Sequence, residues 1–280
     1  MKRLNRRIKF ICITTLIVFT LVASNSINHF SSLHNNQTLN ACEINASIAC
    51  LELYNQPILP TPNPNIPQTE QERFLSAIAT HFPTVPQPGS YEYILLRAYG
   101  AAFIDPEPAV KFPPTVVFNN DQETQAYQST LAMEKITGTN NCYLQQSAAA
   151  ALNKARSQQN IPLKSGYGAS DCTRNYATNL RFWRKYANQN TLDKVREGKE
   201  TAILGVVAPP GASQHLWGLA IDLRVSNAKQ RQALYNNGWF QTVENDVPHW
   251  TYLGVNVDNL PTLGLRNKVV RGISYWLTPI

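Results

Sequence analysis

Histidine is scarce in this chain, with five in 280 residues, so any site built from imidazole must draw on few candidates. Charge is scarce as well: 15% of the residues are charged while 10% are aromatic, a balance that excludes a globally disordered chain. No internal repeat is present, which removes solenoid and array architectures. No stripe of lysine and arginine interleaves with aromatic residues, so nucleic acid is not an expected partner. The apolar run from Phe10 to Ala23 has 14 residues, short of the roughly 20 that cross a bilayer in comfort. What remains fits one globular domain plus extensions.

The segment "MKRLNRRIKFICITTLIVFTLVASNS" sets Lys2, Arg3, Arg6, Arg7 and Lys9 before that apolar run and small polar residues after it. This is the pattern of an export signal over residues 1–25, with cleavage expected near Ala23 to Ser26 and a retained membrane anchor as the alternative. The net charge is +7, and the five basic residues of the signal leave +2 for the mature chain. Residues 26–68 are rich in asparagine and serine, then in proline, and read as an extension and semi-rigid spacer. Four cysteines lie beyond the signal: Cys42, Cys50, Cys142 and Cys172. An even count in an exported chain suggests disulfides. Cys42 and Cys50 share the extension and Cys142 and Cys172 the main body, so the expected pairs are Cys42–Cys50 and Cys142–Cys172, with free buried thiols as the alternative.

The folded body is expected from residue 69 to 257, followed by a tail, 258–280, without an assigned role. Thr69 and Glu72 have capping-box spacing, and Phe74, Leu75, Ile78 and Phe82 then form one helical face. "YEYILLRAYGAAFI" reads as a helix end turning into a strand, and "PPTVVFNN" as another short strand. "CYLQQSAAAALNKARSQQN" is strongly helical, "IPLKSGYGAS" a strand into a turn, and "NYATNLRFWRKYANQ" an amphipathic helix. "HLWGLAIDLRV" and "HWTYLGV" read as strands flanking a helix in "NAKQRQALYNNGW". Helices interleaved with short strands over one body make an α+β fold: a small antiparallel sheet with flanking helices.

In "GLAIDL" strict alternation separates Leu219, Ile221 and Leu223 from Gly218, Ala220 and Asp222. Asp222 then stands beside residues too small to cover it. Gly218 permits the sharp bend by which His215 can swing back towards Asp222. A hydrolytic zinc site takes three protein ligands and keeps a fourth position open, and His249, which follows Pro248 and opens the next strand, supplies the third. Asp246, three residues earlier, is close enough to act as a general base on water. Trp217, Trp239 and Trp250 either pack in the core or line a groove, and Tyr167 and Tyr252 either donate hydrogen bonds near the site or pack. His81 is a surface or core residue; His29 and His34 lie in the extension.

"SQHLWGLAIDL" resembles the S-x-H-x-x-G-x-A-x-D signature of zinc D-alanyl-D-alanine carboxypeptidases and dipeptidases of the vancomycin-resistance type, a family that includes L-alanyl-D-glutamate endopeptidases. "DVPHW" is similar to that family's acid-x-x-His-aromatic segment, and "SGYGASDCTRN" to its S-G-Y-R loop. The resemblance spans roughly residues 90–256. It implies the small α+β fold shared with the hedgehog signalling domain, one zinc ion on His215, Asp222 and His249, Ser213 in contact with substrate and Asp246 as the catalytic carboxylate. Where the family has an arginine after S-G-Y this chain has Gly168. Arg174, six residues on, is the expected replacement as the oxyanion partner, and Arg181 the less favoured one. A Cys142–Cys172 bridge would hold the loop of Arg174 against the alanine-rich helix.

The implied activity is that of an exported, monomeric zinc peptidase in the periplasm or cell-wall space, removing D-alanine from peptidoglycan stem peptides and touching membrane only through an uncleaved N-terminus. The alternatives are an endopeptidase of the same mechanism and a non-catalytic zinc-binding wall module. A thiol hydrolase using Cys172 is a more remote reading.

Overall fold

The computed structural model describes residues 68–82, 84–166 and 168–280, which fall in one unit spanning Pro64–Ile280. The expected signal segment, the spacer up to Pro67, the Cys42–Cys50 pair, His29, His34 and Tyr167 lie outside the described residues.

The first described helix, α1 (Glu70–Ile78), starts at Thr69 with a reciprocal capping box. The Thr69 hydroxyl accepts the Glu72 amide at 3.2 Å, and the Glu72 carboxylate accepts the Thr69 amide at 2.7 Å. Such a cap contributes about 1 kcal/mol. Phe74 and Ile78 of this helix are fully buried, and Phe82 beyond it is also in the core. Helix α2 (Tyr91–Tyr99), capped by Ser90, runs into a buried 3-10 turn, Gly100–Ile104.

That turn stands where a strand was expected. Small residues allow it: a Cβ on Gly100 would come within 2.7 Å of the Leu96 side chain, so the chain winds tightly against α2 instead of extending. "PPTVVFNN" forms no strand either. Pro113 and Pro114 have no amide to give a ladder, and Phe118 makes one hydrogen bond, to the Gly211 carbonyl at 3.0 Å.

Helix α3 (Asp121–Gln128) is followed by a short hairpin of β1 (Met133–Lys135) and β2 (Tyr143–Gln145). The first residues of the expected alanine-rich helix are therefore strand, and α4 covers Gln146–Gln158. Ala148, Ala149, Leu152 and Ala155 are its buried face. Helices α5 (Tyr176–Tyr186) and α6 (Gln189–Arg196) follow, each capped by an asparagine.

The central sheet has the order β3-β5-β4, antiparallel, from β3 (Ala220–Asp222), β4 (Trp239–Phe240) and β5 (His249–Tyr252). Helix α7 (Ala228–Tyr235) joins β3 to β4. Leu163 adds one bridge to Leu223 at the end of β3. Trp217, Trp239 and Trp250 are fully buried, so their default role as core residues holds.

Residues beyond 257 fold back as a hairpin of β6 (Arg266–Val270) and β7 (Ile273–Leu277). Leu265, Tyr275 and Trp276 are buried there, and the Trp276 amide binds the Gln241 carbonyl at 2.8 Å. Seven α-helices and small antiparallel sheets among the described residues make the fold α+β. No described helix is long and apolar enough to cross a membrane.

Candidate metal centre

Two neighbouring turns and one strand pair build the site. Ser213 starts a 3-10 turn, Gln214–Trp217, by accepting the His215 amide on its hydroxyl at 3.4 Å. Gly218 ends that turn with φ +69°, a left-handed conformation that costs other L-residues energy. The reversal places His215 beside β3. In the ladder Asp222 is paired with His249, so one register brings the carboxylate and the second imidazole together.

His215 Nε2 lies 3.4 Å from Asp222 Oδ1, and His249 Nδ1 lies 3.7 Å from the same oxygen. One ligand atom from each of the three residues falls within 4.8 Å of the others. Ligands about 2.0–2.1 Å from a tetrahedral zinc stand about 3.3–3.4 Å apart, and the two distances to Asp222 are close to that spacing.

The outer nitrogens set the tautomers. His215 Nδ1 faces the Cys172 carbonyl at 2.9 Å. A carbonyl only accepts, so the proton is on Nδ1 and Nε2 keeps its lone pair. That Nε2 is buried without a hydrogen-bond partner, an orphan that a metal would satisfy. His249 Nε2 faces Gln214 Oε1 at 2.7 Å. The Gln214 amide nitrogen donates to the Tyr99 carbonyl at 2.6 Å, which fixes its oxygen towards His249. Thr251 donates to the same oxygen at 2.9 Å and faces Thr242 at 2.7 Å. Both rings are thus held from behind with a bare nitrogen forward.

Burial, helped by the charge of Arg174, pushes the His215 pKa down to about 4 against the pull of Asp222, so the ring is neutral at pH 7 and able to ligate. Burial alone would raise Asp222, but the two imidazoles and Arg174 hold it well below the usual carboxylate range.

Arg174 reaches the site from the loop after Gly168. Its Nη2 donates to Asp222 Oδ2 at 2.5 Å, its Nε to the Ser170 carbonyl at 2.7 Å, and its guanidinium lies 4.7 Å from the Phe182 ring centre. Gly168 has φ +94°, where an arginine would be strained, and it rests against Cys142. The Cys142–Cys172 disulfide is formed, and it fixes the carbonyl that orients His215. Arg181 is exposed and does not line the pocket around His215.

Asp246 lines this pocket with Ser213, Lys164 and Arg174. Its loop turns back through Asn245, at φ +70°, and the His249 amide closes on the Asp246 carbonyl at 3.1 Å. Burial raises the Asp246 pKa to about 6, with His249 opposing the rise. Trp250 packs near Tyr235 and Tyr252 near Trp239. Alternation along β5 turns these two residues away from His249 and Thr251, and neither lines the pocket.

Three participants escaped the sequence reading. Gln214 and Lys164 lie inside quoted stretches, but only long-range contacts reveal them. Asp171 accepts the Asp222 amide on its carbonyl at 2.8 Å and the Ser165 amide and hydroxyl on its carboxylate at 2.7 and 2.6 Å.

Residues 141–255 match the family model VanY, D-alanyl-D-alanine carboxypeptidase. No curated protein matches the chain. The matched span holds the whole His–Asp–His group, so the candidate metal centre lies in the part of the chain that is similar to D-alanyl-D-alanine carboxypeptidases.

Proposed function

We propose that the protein is an exported, zinc-dependent D-alanyl-D-alanine carboxypeptidase acting on peptidoglycan stem peptides. The observation that carries this reading is the orphaned, buried Nε2 of His215 facing Asp222 and His249. His215, Asp222 and His249 would hold the ion, and zinc so bound polarises a carbonyl and acidifies water. The peptidase domain covers 69–257 with the 258–280 hairpin packed on it, and residues 1–25 direct export.

Asp246, with its pKa near 6, is mostly ionised at pH 7 and accepts the proton of the attacking water. It then delivers that proton to the leaving amine, which departs as D-alanine. Arg174 holds Asp222 by Oδ2 and leaves Oδ1 to the metal side. Its Nη1 is the remaining donor for the developing oxyanion. Ser213, which lines the pocket, contacts the substrate.

The test is stem pentapeptide hydrolysis followed by mass spectrometry. Chelation should abolish release of D-alanine, and added zinc should restore it. Release that survives verified metal removal sinks the mechanism, and cleavage between L-alanine and D-glutamate transfers the protein to the endopeptidase branch. A second reading, a zinc-binding wall module without turnover, draws on the engagement of Arg174 by Asp222. Stoichiometric zinc binding with no product from any stem peptide would favour it.

A further inference from the structure

A carboxypeptidase differs from an endopeptidase in what it must find one residue beyond the scissile bond: a free carboxylate. Two cationic side chains line the pocket, Arg174 and Lys164. Arg174 is fixed beside the ligands, with Nη2 on Asp222, Nε on Ser170 and its face on Phe182, which leaves Nη1 to the scissile carbonyl and none of its groups placed for a more distant carboxylate.

Lys164 is placed as firmly at its backbone, because its amide donates to the Asp222 carbonyl at 3.0 Å and its own carbonyl accepts from Arg224 Nε at 2.5 Å. Its side chain is exposed at the pocket edge. Among the described residues its ammonium has no carboxylate within ion-pair distance. Lys164 and Asp246 line one pocket, which sets the cation in the same recess as the group that would hand a proton to the leaving residue. The backbone pins the root of a long flexible stem beside a metal ligand and leaves a compact cation at its end.

Resting on the function proposed above, we propose that Lys164 anchors the C-terminal carboxylate of the substrate and so makes the enzyme select free acids over internal peptide bonds. Arg174 then serves the scissile carbonyl and Lys164 the terminal carboxylate, which assigns the two cations to different oxygens.

The test compares an acyl-D-alanyl-D-alanine free acid with its C-terminal carboxamide in the zinc-loaded full chain. The wild type should favour the acid in kcat/KM by at least about tenfold, as expected for loss of one charge-assisted hydrogen bond. In Lys164→Ala that preference should fall towards one, through KM, and Lys164→Arg should recover part of it. An unchanged acid-to-amide ratio in Lys164→Ala, or no preference in the wild type, overturns the assignment. If neither compound is hydrolysed, the peptidase reading fails, and calorimetric binding of the same two compounds decides the anchor by the same ratio. An acid preference in binding that disappears in Lys164→Ala upholds it, and an equal or absent preference overturns it.

Discussion

At the scale of single residues the site depends on groups that stand behind the candidate ligands. Gln214 is fully enclosed and joins His249, Thr251 and the Tyr99 carbonyl through one amide. Replacing it with leucine removes the acceptor that keeps the His249 proton on Nε2. Zinc affinity should fall about 10–100-fold, as for other lost partners of metal-bound histidines, measured by competition with a chromophoric chelator. Gln214→Glu keeps an acceptor there and should lose less; equal affinity in the leucine variant would show that the ring is held by its backbone alone. His215, Asp222 and His249 were legible in the sequence because one short signature and one downstream segment name them. Gln214 was not, since its neighbour in the signature draws attention and its own partners lie 35 and 115 positions away. Lys164 was hidden for the same reason, because its tie to Asp222 crosses 58 positions and is made by backbone atoms.

At the scale of elements the disulfide does more than close a loop of 30 residues. It joins the start of β2 to the loop whose Cys172 carbonyl orients His215, so packing and the placement of a candidate ligand share one covalent link. Converting both Cys142 and Cys172 to alanine should cost about 2–4 kcal/mol in denaturant unfolding and weaken zinc binding in the same protein. Lost stability with unaltered zinc affinity would confine the bridge to a structural part. Elements were legible where local chemistry decides them: the Thr69 capping box, the apolar face of α5 and the register-bearing strand of His249. They were misread where burial decides, as in Gly100–Ile104, whose small apolar residues suit a strand in isolation but wind into a 3-10 turn against α2. The two prolines before Val116 were a signal against pairing that the apolar run outweighed.

At the scale of the whole described unit the C-terminal hairpin braces the loop that carries Asp246. Lys268 binds the Glu244 carboxylate at 2.7 Å, Trp276 binds the Gln241 carbonyl at 2.8 Å, and Thr278 bonds to the Arg97 carbonyl at 2.5 Å. Arg266 pairs with Glu70 of α1, so the hairpin also reaches the first described helix. Deleting residues 258–280 removes buried Leu265 and Trp276 and uncovers the core they pack against, and should lower the melting temperature by several degrees or leave the protein insoluble. An unaltered melting curve would show the hairpin to be an accessory. The family match stops at residue 255, before this brace begins. The candidate ligands and their mechanical support are therefore carried by different stretches of one chain, and transplanting the matched stretch alone into another scaffold would move the His–Asp–His group without the buttress behind Asp246.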